Sequence, residues 1–246
     1  MLPGGFTSAG CGSAVSFPAP RLAPVPWFVS ALIVSASTRL SALALAAASL
    51  GIMACASGDS APRPHNLRGT ALPEAIGKAS FTLADTDGNP FDFRVRTDGK
   101  LTLLFFGYTY CPDVCPVHMA NIANALRMLT HEQRSQVSVV FVTTDPERDT
   151  PQRLRSWLDA FDRTFVGLVG PLEDVNAIQK EMKLGDAYAM EGTEGTLPDS
   201  AGYLVAHAGQ VLAFSPSDNL AHIAYPFGAR QADWTHDIPI LLELRW

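Results

Sequence analysis

The sequence predicts an α/β fold in which a central mixed sheet is flanked by helices. Two uninterrupted apolar runs, residues 100–109 and 136–145, are typical of strands that are buried on both faces. Each run is followed by a segment with helical features, and hairpin signals occur near both ends of this region. Strands that alternate with helices form one sheet covered on both faces, and the hairpins add antiparallel pairs. The 246 residues allow one such domain or at most two.

The first half of the predicted domain begins with a hairpin. Two short apolar runs within residues 78–95 surround the turn sequence Asp-Gly-Asn-Pro. After the buried run at 100–109, the apolar residues from Pro116 onward recur at helical spacing and predict an amphipathic helix. These apolar residues are Met119, Ile122, Leu126 and Leu129.

The second half continues the alternation of strands and helices. Thr150 and Pro151 are residue types preferred at the N-cap and the first helical position, so a helix is predicted to begin there. The remaining predicted elements are a short strand at 165–170, a helix from Pro171, a surface loop at 185–202, a hairpin at 201–214 that turns at Ala208-Gly209, and a terminal helix at 232–246 interrupted near Pro239.

Residues 1–54 are predicted to be a targeting segment rather than part of the fold. Arg39 is followed by an apolar run that ends in "IMAC" at 52–55, which is the pattern of a secretory signal and resembles the lipobox of bacterial lipoproteins. The run is shorter than the roughly 20 residues of a membrane span. We therefore expect cleavage before Cys55 and attachment of lipid to its sulfur. The alternative is an uncleaved anchor helix within residues 25–53.

Both alternatives place the rest of the chain on the extracytoplasmic face of a bacterial membrane, either on the periplasmic side or at the cell surface. The polar residues 55–76, which include Pro62 and Pro64, are predicted to form a flexible tether. Residues 77–246 then form the folded domain. The formal net charge of −6 gives no indication of nucleic-acid binding.

Cysteine usage indicates a redox pair or a metal pair. Of the four cysteines, Cys11 lies in the targeting segment and Cys55 at the predicted lipid site, so only Cys111 and Cys115 remain in the domain. Two close cysteines are not the spread-out set of a disulfide scaffold. Their position between the first buried strand and its helix is the arrangement of thioredoxin-like folds. The sequence therefore predicts a thioredoxin-like fold with its chemistry at this junction.

The spacing of the two cysteines is compatible with a disulfide and with a shared metal ion. Four positions are about one helical turn, so Cys111 and Cys115 are expected to present both sulfurs on the same side. A helix start favours the thiolate form of cysteine. Two soft thiolates select Cu(I) and one imidazole gives a three-ligand site, whereas zinc normally takes a fourth ligand. The candidates for the imidazole include His207 in the predicted hairpin and His118, three residues after Cys115.

Several motifs together resemble the Sco/SenC family of copper-binding proteins. They are "FTLADTDG" at 81–88, "FGYTYCPDVCP" at 106–116 and "DPERDTP" at 145–151. The resemblance implies a thioredoxin fold and copper, as Cu(I) or Cu(II), held by both cysteines and by the histidine of "YLVAHA" at 203–208, which is His207. It also implies a role in assembling the copper centre of cytochrome c oxidase, with the copper-bearing oxidase subunit and a copper donor protein as partners.

The histidine segment departs from the pattern of the family. Ala206 and Ala208 stand where the family has Asp and Ser, so we expect the imidazole to lack an acceptor that orients it and copper to bind more weakly. An alternative alignment places Asp199 at the ligand position, where a hard carboxylate suits Cu(I) poorly. Asp145 and Arg148 follow the second buried strand and are predicted to tune the site without binding the metal.

Two functions from different classes fit these residues. In the first, the protein is a metallochaperone that binds and delivers copper, and it is not an enzyme. In the second, Cys111 and Cys115 form a redox-active disulfide, and the protein is a thiol-disulfide reductase that keeps the cysteines of the oxidase reduced. His207 discriminates between them, because copper needs the imidazole and disulfide exchange does not. A peroxidase is a weaker third reading, because the two prolines of the CPDVCP loop argue against it.

Overall fold

An eight-stranded mixed sheet forms the centre of the protein in a computed structural model that describes residues 66–193 and 202–246. All of these residues belong to one structural unit, Ser57–Trp246. The predicted targeting segment, Cys55 and Asp199 lie outside the described residues. In the described part of the chain, no helix has both the length and the hydropathy needed to cross a membrane.

The described residues form ten strands and six helices. The strands are β1 (Thr70–Gly77), β2 (Thr82–Asp85), β3 (Pro90–Asp92), β4 (Leu101–Gly107), β5 (Val137–Thr143), β6 (Val166–Val169), β7 (Tyr188–Ala189), β8 (Val205–Ala206), β9 (Val211–Phe214) and β10 (Leu220–Tyr225). The helices are α1 (Phe93–Arg96), α2 (Val114–Leu126), α3 (His131–Ser135), α4 (Pro151–Asp159), α5 (Leu172–Glu181) and α6 (Gln231–Glu243).

The order of strands across the sheet is β1-β10-β9-β4-β5-β6-β2-β3. Strands β4, β5 and β6 run parallel to one another, with Phe105 opposite Phe141, and the remaining pairs are antiparallel. The sheet is therefore mixed, as the sequence predicts. The small second sheet pairs β7 with β8.

Strand β4 shows why its apolar run is uninterrupted. Leu103 and Phe105 pack into the buried cluster that contains α2, α4 and α6, whereas Leu104 and Phe106 pack into the cluster that contains α5. Successive side chains of a strand point to opposite faces, so a strand covered on both faces needs apolar residues at every position. This arrangement confirms the predicted sheet with helices on both faces.

The N-terminal boundary of the domain differs from the prediction. Residues 70–76 were expected within a polar tether, but Thr70–Gly77 forms β1 and pairs antiparallel with β10. The buried carboxylate of Asp237 accepts hydrogen bonds from the backbone amides of Arg68 and Gly69, at 2.8 and 2.9 Å. The prediction relied on polar composition. Strand β1 is held by backbone pairing with β10 and by the carboxylate of Asp237, and neither is visible in the composition of residues 70–76.

The predicted hairpin around Ala208-Gly209 is also absent. Strand β8 pairs with β7, with Tyr188 opposite Ala206, whereas β9 pairs with β4 and β10. Residues 207–210 therefore connect two different sheets and belong to no strand themselves. Pro239 lies inside α6 without ending it, although an interior proline removes one hydrogen bond and crowds the carbonyl of the preceding turn. Buried side chains on both sides of it, Ile238 and Leu241 among them, hold the helix.

Candidate metal centre

Cys111, Cys115 and His207 come together at the end of β4. The two sulfur atoms and one ring nitrogen all lie within 4.8 Å of one another. The cysteines are close in sequence, but the histidine is 96 residues from Cys111 and is brought in by the segment that links β8 to β9. Within the described ranges, this is the only group of three or more Cys, His, Asp or Glu side chains with metal-binding spacing.

The junction between β4 and α2 positions the two sulfurs. The amide of Cys111 donates to the carbonyl of Tyr108 at 3.2 Å, which closes a turn after the strand. Helix α2 begins at Val114, so Cys115 and Pro116 lie in its first turn, where backbone amides have no partner within the helix. Proline is therefore tolerated there. A Cβ atom at Gly107 would lie 2.7 Å from the sulfur of Cys115, so the strand has to end in glycine.

The two cysteines have opposite acid–base properties. A hydrogen bond from the Cys115 thiol, together with bonds from nearby backbone amides, lowers the pKa of Cys111 to about 4. Complete burial raises the pKa of Cys115 well above its usual value. Without metal, the pair therefore carries one thiolate and one thiol. A metal ion that binds both sulfurs displaces the remaining proton.

His207 presents a lone pair to the sulfurs. Its Nε2 lies 3.9 Å from the sulfur of Cys111 and 3.6 Å from that of Cys115. Its Nδ1 lies 3.1 Å from the carbonyl oxygen of Ala208, which can only accept, so Nδ1 carries the proton. The expectation that the ring lacks an orienting acceptor was wrong, because the main chain of Ala208 supplies the acceptor that its side chain does not.

Aromatic edges confine the His207 ring from two sides. The ring centroid lies 5.5 Å from that of Tyr108 and 5.9 Å from that of Phe105, both in edge-on contacts. The hydroxyl of Tyr108 accepts a hydrogen bond from the amide of Val205 at 3.3 Å. The histidine segment is thus held against β4, although it is only half buried.

Asp145 and Arg148 lie next to these aromatic residues and not in the metal group. The Arg148 guanidinium forms an ion pair with Asp145 at 2.5 Å and lies 3.6 Å from the centre of the Tyr203 ring. It also lies 5.8 Å from the centre of the Tyr108 ring. The Tyr203 hydroxyl donates to Asp145 at 3.0 Å. The pair therefore contacts Tyr108, whose ring touches His207, and Tyr203, four residues before His207 in the chain. Its predicted tuning role stays a prediction.

Sequence reasoning missed Asp149 as a structural part of the site. This fully buried carboxylate accepts from the amide and the hydroxyl of Thr109, at 2.9 and 2.5 Å, and from the hydroxyl of Thr143 at 2.7 Å. Burial raises its pKa, and the hydroxyl bonds oppose that shift. Asp149 thereby fixes the start of the cysteine loop to the end of β5. The signal that could have found it is the second aspartate of the "DPERDTP" motif.

His118, the other histidine candidate, is not part of the metal group. It lies on α2 and is buried, and its Nε2 lies 3.1 Å from the carbonyl oxygen of Gly209. Burial lowers the pKa of His118. The metal group itself is reached through a cavity of about 270 Å³ whose lining includes Cys111, His207, Met190 and Phe227.

A thioredoxin-like sheet with two cysteines and one histidine at the strand–helix junction defines a class of metal-binding proteins with this fold. Comparison with known sequences gives the family. The sequence model of the SCO1/SenC family matches residues 69–241, and the chain belongs to this family. The fold and the family that the motifs predict are thereby confirmed.

Two curated relatives illustrate the similarity. A putative copper-binding protein of Stutzerimonas stutzeri is 34% identical over 156 residues, which cover 63% of this chain and 72% of the relative. The mitochondrial protein SCO1 homolog 1 of Arabidopsis thaliana is 32% identical over 149 residues, which cover 59% of this chain and only 42% of the relative.

Solved structures give the same result. ScoI of Bradyrhizobium japonicum, determined with copper bound, matches with a TM-score of 0.57 and 27% identity, over 68% of this chain and 99% of the other. Apo Sco1 of Thermus thermophilus matches with a TM-score of 0.60 and 27% identity, over 72% of this chain and 98% of the other. Copper, the predicted cofactor, is thus the metal bound in a solved relative.

Proposed function

We propose that this protein is a membrane-tethered copper chaperone that assists assembly of the copper centre of cytochrome c oxidase. The observation that carries the proposal is the convergence of two sulfurs and one imidazole nitrogen within 4.8 Å. Cys111, Cys115 and His207 are the proposed ligands. The family resemblance supports the role in oxidase assembly, and the copper-bound relative supports the choice of metal.

The donor set fits copper better than zinc. Thiolate is a soft ligand that favours Cu(I), and imidazole suits both oxidation states of copper. Zinc sites of the structural kind are closed by four protein ligands, and among the described residues no fourth Cys, His, Asp or Glu joins the group. When bound, copper supplies a soft acceptor for both thiolates, while the residues of the chain hold and orient it.

The different burial of the ligands suits delivery. Cys115 is completely buried, Cys111 is 8% exposed and His207 is half buried beside the cavity. An incoming ligand from a partner protein reaches Cys111 and His207 first. Copper therefore leaves by exchange at these two ligands while Cys115 still holds it. The proposed partners are a copper donor protein and the copper-bearing subunit of the oxidase.

The proposed location is the extracytoplasmic face of a bacterial membrane, with lipid on Cys55. The support is the apolar run after Arg39 that ends in "IMAC". Mass spectrometry of protein extracted from membranes tests it, and the expected N-terminal peptide begins at a lipid-modified Cys55. An intact peptide across residues 50–60 would favour the uncleaved anchor within 25–53.

A copper titration of the full chain in detergent tests the proposed function. We expect one Cu(I) per protein in competition with a coloured Cu(I) chelator, and loss of tight binding in Cys111→Ser. The matched control is His131→Ala, at the exposed start of α3, which leaves binding unchanged. A wild-type chain that fails to compete with the chelator would remove the chaperone proposal.

The unequal acidity of the cysteines supports a second candidate, a thiol-disulfide reductase. The Cys111 thiolate, with its pKa of about 4, attacks a disulfide of the substrate protein and releases one substrate thiolate. Cys115 then loses its proton and attacks the mixed disulfide. The chain ends with a Cys111–Cys115 disulfide, and the substrate gains two electrons and becomes two thiols, with one proton from Cys115 and one from water. Retention of this activity in His207→Ala, together with weakened Cu(II) binding, would separate the two functions.

A further inference from the structure

His118 is a buried imidazole beside the metal group that the proposed function does not use. It lies on α2, three residues after Cys115, and only 1% of its surface is exposed. Its ring makes edge contacts with Phe105 and Trp234, at centroid distances of 5.2 and 6.2 Å. Because it does not belong to the group of converging ligand atoms, metal binding does not explain why a histidine occupies this position.

The hydrogen bonding of His118 is one-sided. Nε2 lies 3.1 Å from the carbonyl oxygen of Gly209, so Nε2 carries the proton and donates it. Nδ1 is buried and has no hydrogen-bond partner. An unpartnered buried acceptor costs stability, and an aliphatic side chain would occupy the same apolar surroundings without that cost. The bond to Gly209 is therefore the feature that distinguishes histidine from an aliphatic residue here.

That bond holds the segment that carries His207. Residues 207–210 lie between β8 and β9 and belong to neither strand. Within this segment the carbonyl of Ala208 orients the His207 ring, and the next carbonyl, that of Gly209, is bonded to His118. Both imidazole rings also contact Phe105, at centroid distances of 5.2 Å for His118 and 5.9 Å for His207.

We propose that His118 is a positioning residue that fixes His207 relative to the two cysteine sulfurs. Helix α2 carries Cys115 and His118 on successive turns, so the same helix sets one sulfur ligand and the segment of the imidazole ligand. The His118 side chain donates directly to the backbone carbonyl of Gly209. The segment can therefore be held without an acidic or hydroxyl side chain next to His207. This inference rests on the proposed function, since it concerns the geometry of the copper ligands.

If His118 positions His207, loss of His118 should change the affinities for Cu(II) and Cu(I) by different amounts. Two thiolates satisfy much of the preference of Cu(I), whereas Cu(II) depends more strongly on imidazole. Loss of the bond to Gly209 should therefore weaken Cu(II) binding more than Cu(I) binding. A residue that served only to fill the core would alter stability without separating the two ions.

The test compares His118→Leu, which removes the donor, with His118→Gln, which keeps an N–H donor. Full-length protein in detergent is titrated with Cu(II) and with Cu(I) against competing chelators, and the visible and electron paramagnetic resonance spectra of the Cu(II) form are recorded. We expect Cu(II) affinity to fall about 10-fold in His118→Leu, the lower end of the range for residues that support metal ligands. We expect His118→Gln to recover most of that loss, and Cu(I) affinity to change much less.

The matched control is His131→Leu, at the exposed start of α3, which should leave both affinities unchanged. Unchanged Cu(II) affinity and spectra in His118→Leu would overturn the proposal. Equal losses for both ions without recovery in His118→Gln would do the same, because they indicate a purely structural role. If His118→Leu does not fold, the ring nitrogen resonances of the wild type decide, and a proton on Nδ1 of His118 contradicts the bond to Gly209.

Failure of the positioning role can be distinguished from failure of the proposed copper function. A wild-type chain that binds no copper removes the chaperone proposal. The positioning role is then read from the His207 ring resonances of the metal-free protein, which should broaden in His118→Leu and recover in His118→Gln. Resonances that stay equally sharp in all three proteins would remove the positioning role alone.

Discussion

The cysteine side and the histidine side of the metal group are built differently. Cys111 and Cys115 lie within five residues of one another, between a fully buried strand and the first turn of a long helix. His207 lies between two short strands of different sheets and is half buried. Its ring is held by the carbonyl of Ala208 and by aromatic edges, and no side-chain acid of its own segment contributes.

The comparison shows that one side is set by local structure and the other by distant contacts. The strand, the turn and the helix start that place the sulfurs are continuous in the chain. The imidazole depends on Tyr108, Phe105 and His118, which all belong to the other side. The thiolates are therefore the constant part of the site, and the imidazole is the part whose position mutations can change separately.

The largest effect is expected from Cys115→Ser. Structural zinc sites bind with about 10–16 kcal/mol shared among four ligands, so on this scale loss of one ligand costs about 3 kcal/mol, or more than about 100-fold in affinity. A chelator competition for Cu(I) measures this loss. Cu(I) binding of undiminished strength in Cys115→Ser would mean that the buried cysteine is not a ligand.

The next largest expected effect is a difference between the alkylation rates of Cys111 and Cys115. With the pKa of Cys111 at about 4 and that of Cys115 far above its usual value, only Cys111 is a thiolate at neutral pH. Because the pKa of Cys111 is lowered, its thiolate persists from neutral pH down to about 4 and is lost as pH falls through that value.

Metal-free, reduced protein is therefore treated with iodoacetamide at several pH values, and the labelled peptide is identified by mass spectrometry. We expect Cys111 to be labelled more than about 100-fold faster than Cys115 at pH 7, from the difference in thiolate fraction. Labelling that declines already between pH 9 and pH 7 would contradict the asymmetry.

A smaller and more selective effect is expected from His207→Ala. Loss of one ligand of average strength lowers Cu(II) affinity about 100-fold. Cu(I) affinity should fall less, because both thiolates remain. Paired titrations of both ions, with His222→Ala as the control histidine, measure the difference. An unchanged visible spectrum of the Cu(II) form in His207→Ala would exclude this ligand.

Arg148→Lys tests whether the contacts of Arg148 with the two tyrosine rings support the histidine side of the site. Lysine keeps the charge opposite Asp145 but loses the planar contact with the rings of Tyr203 and Tyr108. We expect Cu(II) affinity to fall by about 10-fold at most, with Cu(I) affinity nearly constant. Arg163→Lys, at an exposed position, is the control. A loss confined to Cu(I) would place Arg148 on the cysteine side instead.

The smallest effect is expected from Ala206→Asp. This change restores the acid that the family has at this position, and the sequence alone favours a gain in affinity. Since Nδ1 of His207 already donates to Ala208, we expect a gain well under the roughly 10-fold typical of such groups. A Cu(II) titration that shows a larger gain would mean that the carbonyl orients the ring poorly.

The cysteine side was predictable from sequence because its determinants are consecutive. An apolar run, two prolines and a helical period specify the strand, the turn and the helix of Cys111 and Cys115 without any distant contact. The position of His207 was found only through the resemblance to the family. Its ring is oriented by the main-chain carbonyl of Ala208. Every residue type has such a carbonyl, so the sequence does not indicate the acceptor.

Two elements were predicted wrongly for a related reason. Strand β1 has the composition of a tether, and only the pairing with β10 and the acid of Asp237 make it part of the sheet. The expected hairpin at 201–214 is divided because β8 pairs with β7, an element that the sequence showed only as loop. Pairing between segments distant in the chain decided both cases, and local periodicity does not report such pairing.

Under the proposed attachment of lipid to Cys55, the direction of β1 has a consequence for copper exchange. Thr70 pairs with Ala224, and Tyr225 pairs with Val211 at the end of the sheet where β4 meets the cysteines, so the chain joins the domain at its copper-binding end. About 15 residues separate Cys55 from Thr70, which span about 50 Å at most. A lipid on Cys55 would therefore confine this end to a thin layer above the bilayer. For an acceptor embedded in the same membrane, encounter then occurs in two dimensions and at a raised effective concentration, so a weak and short-lived contact suffices for transfer.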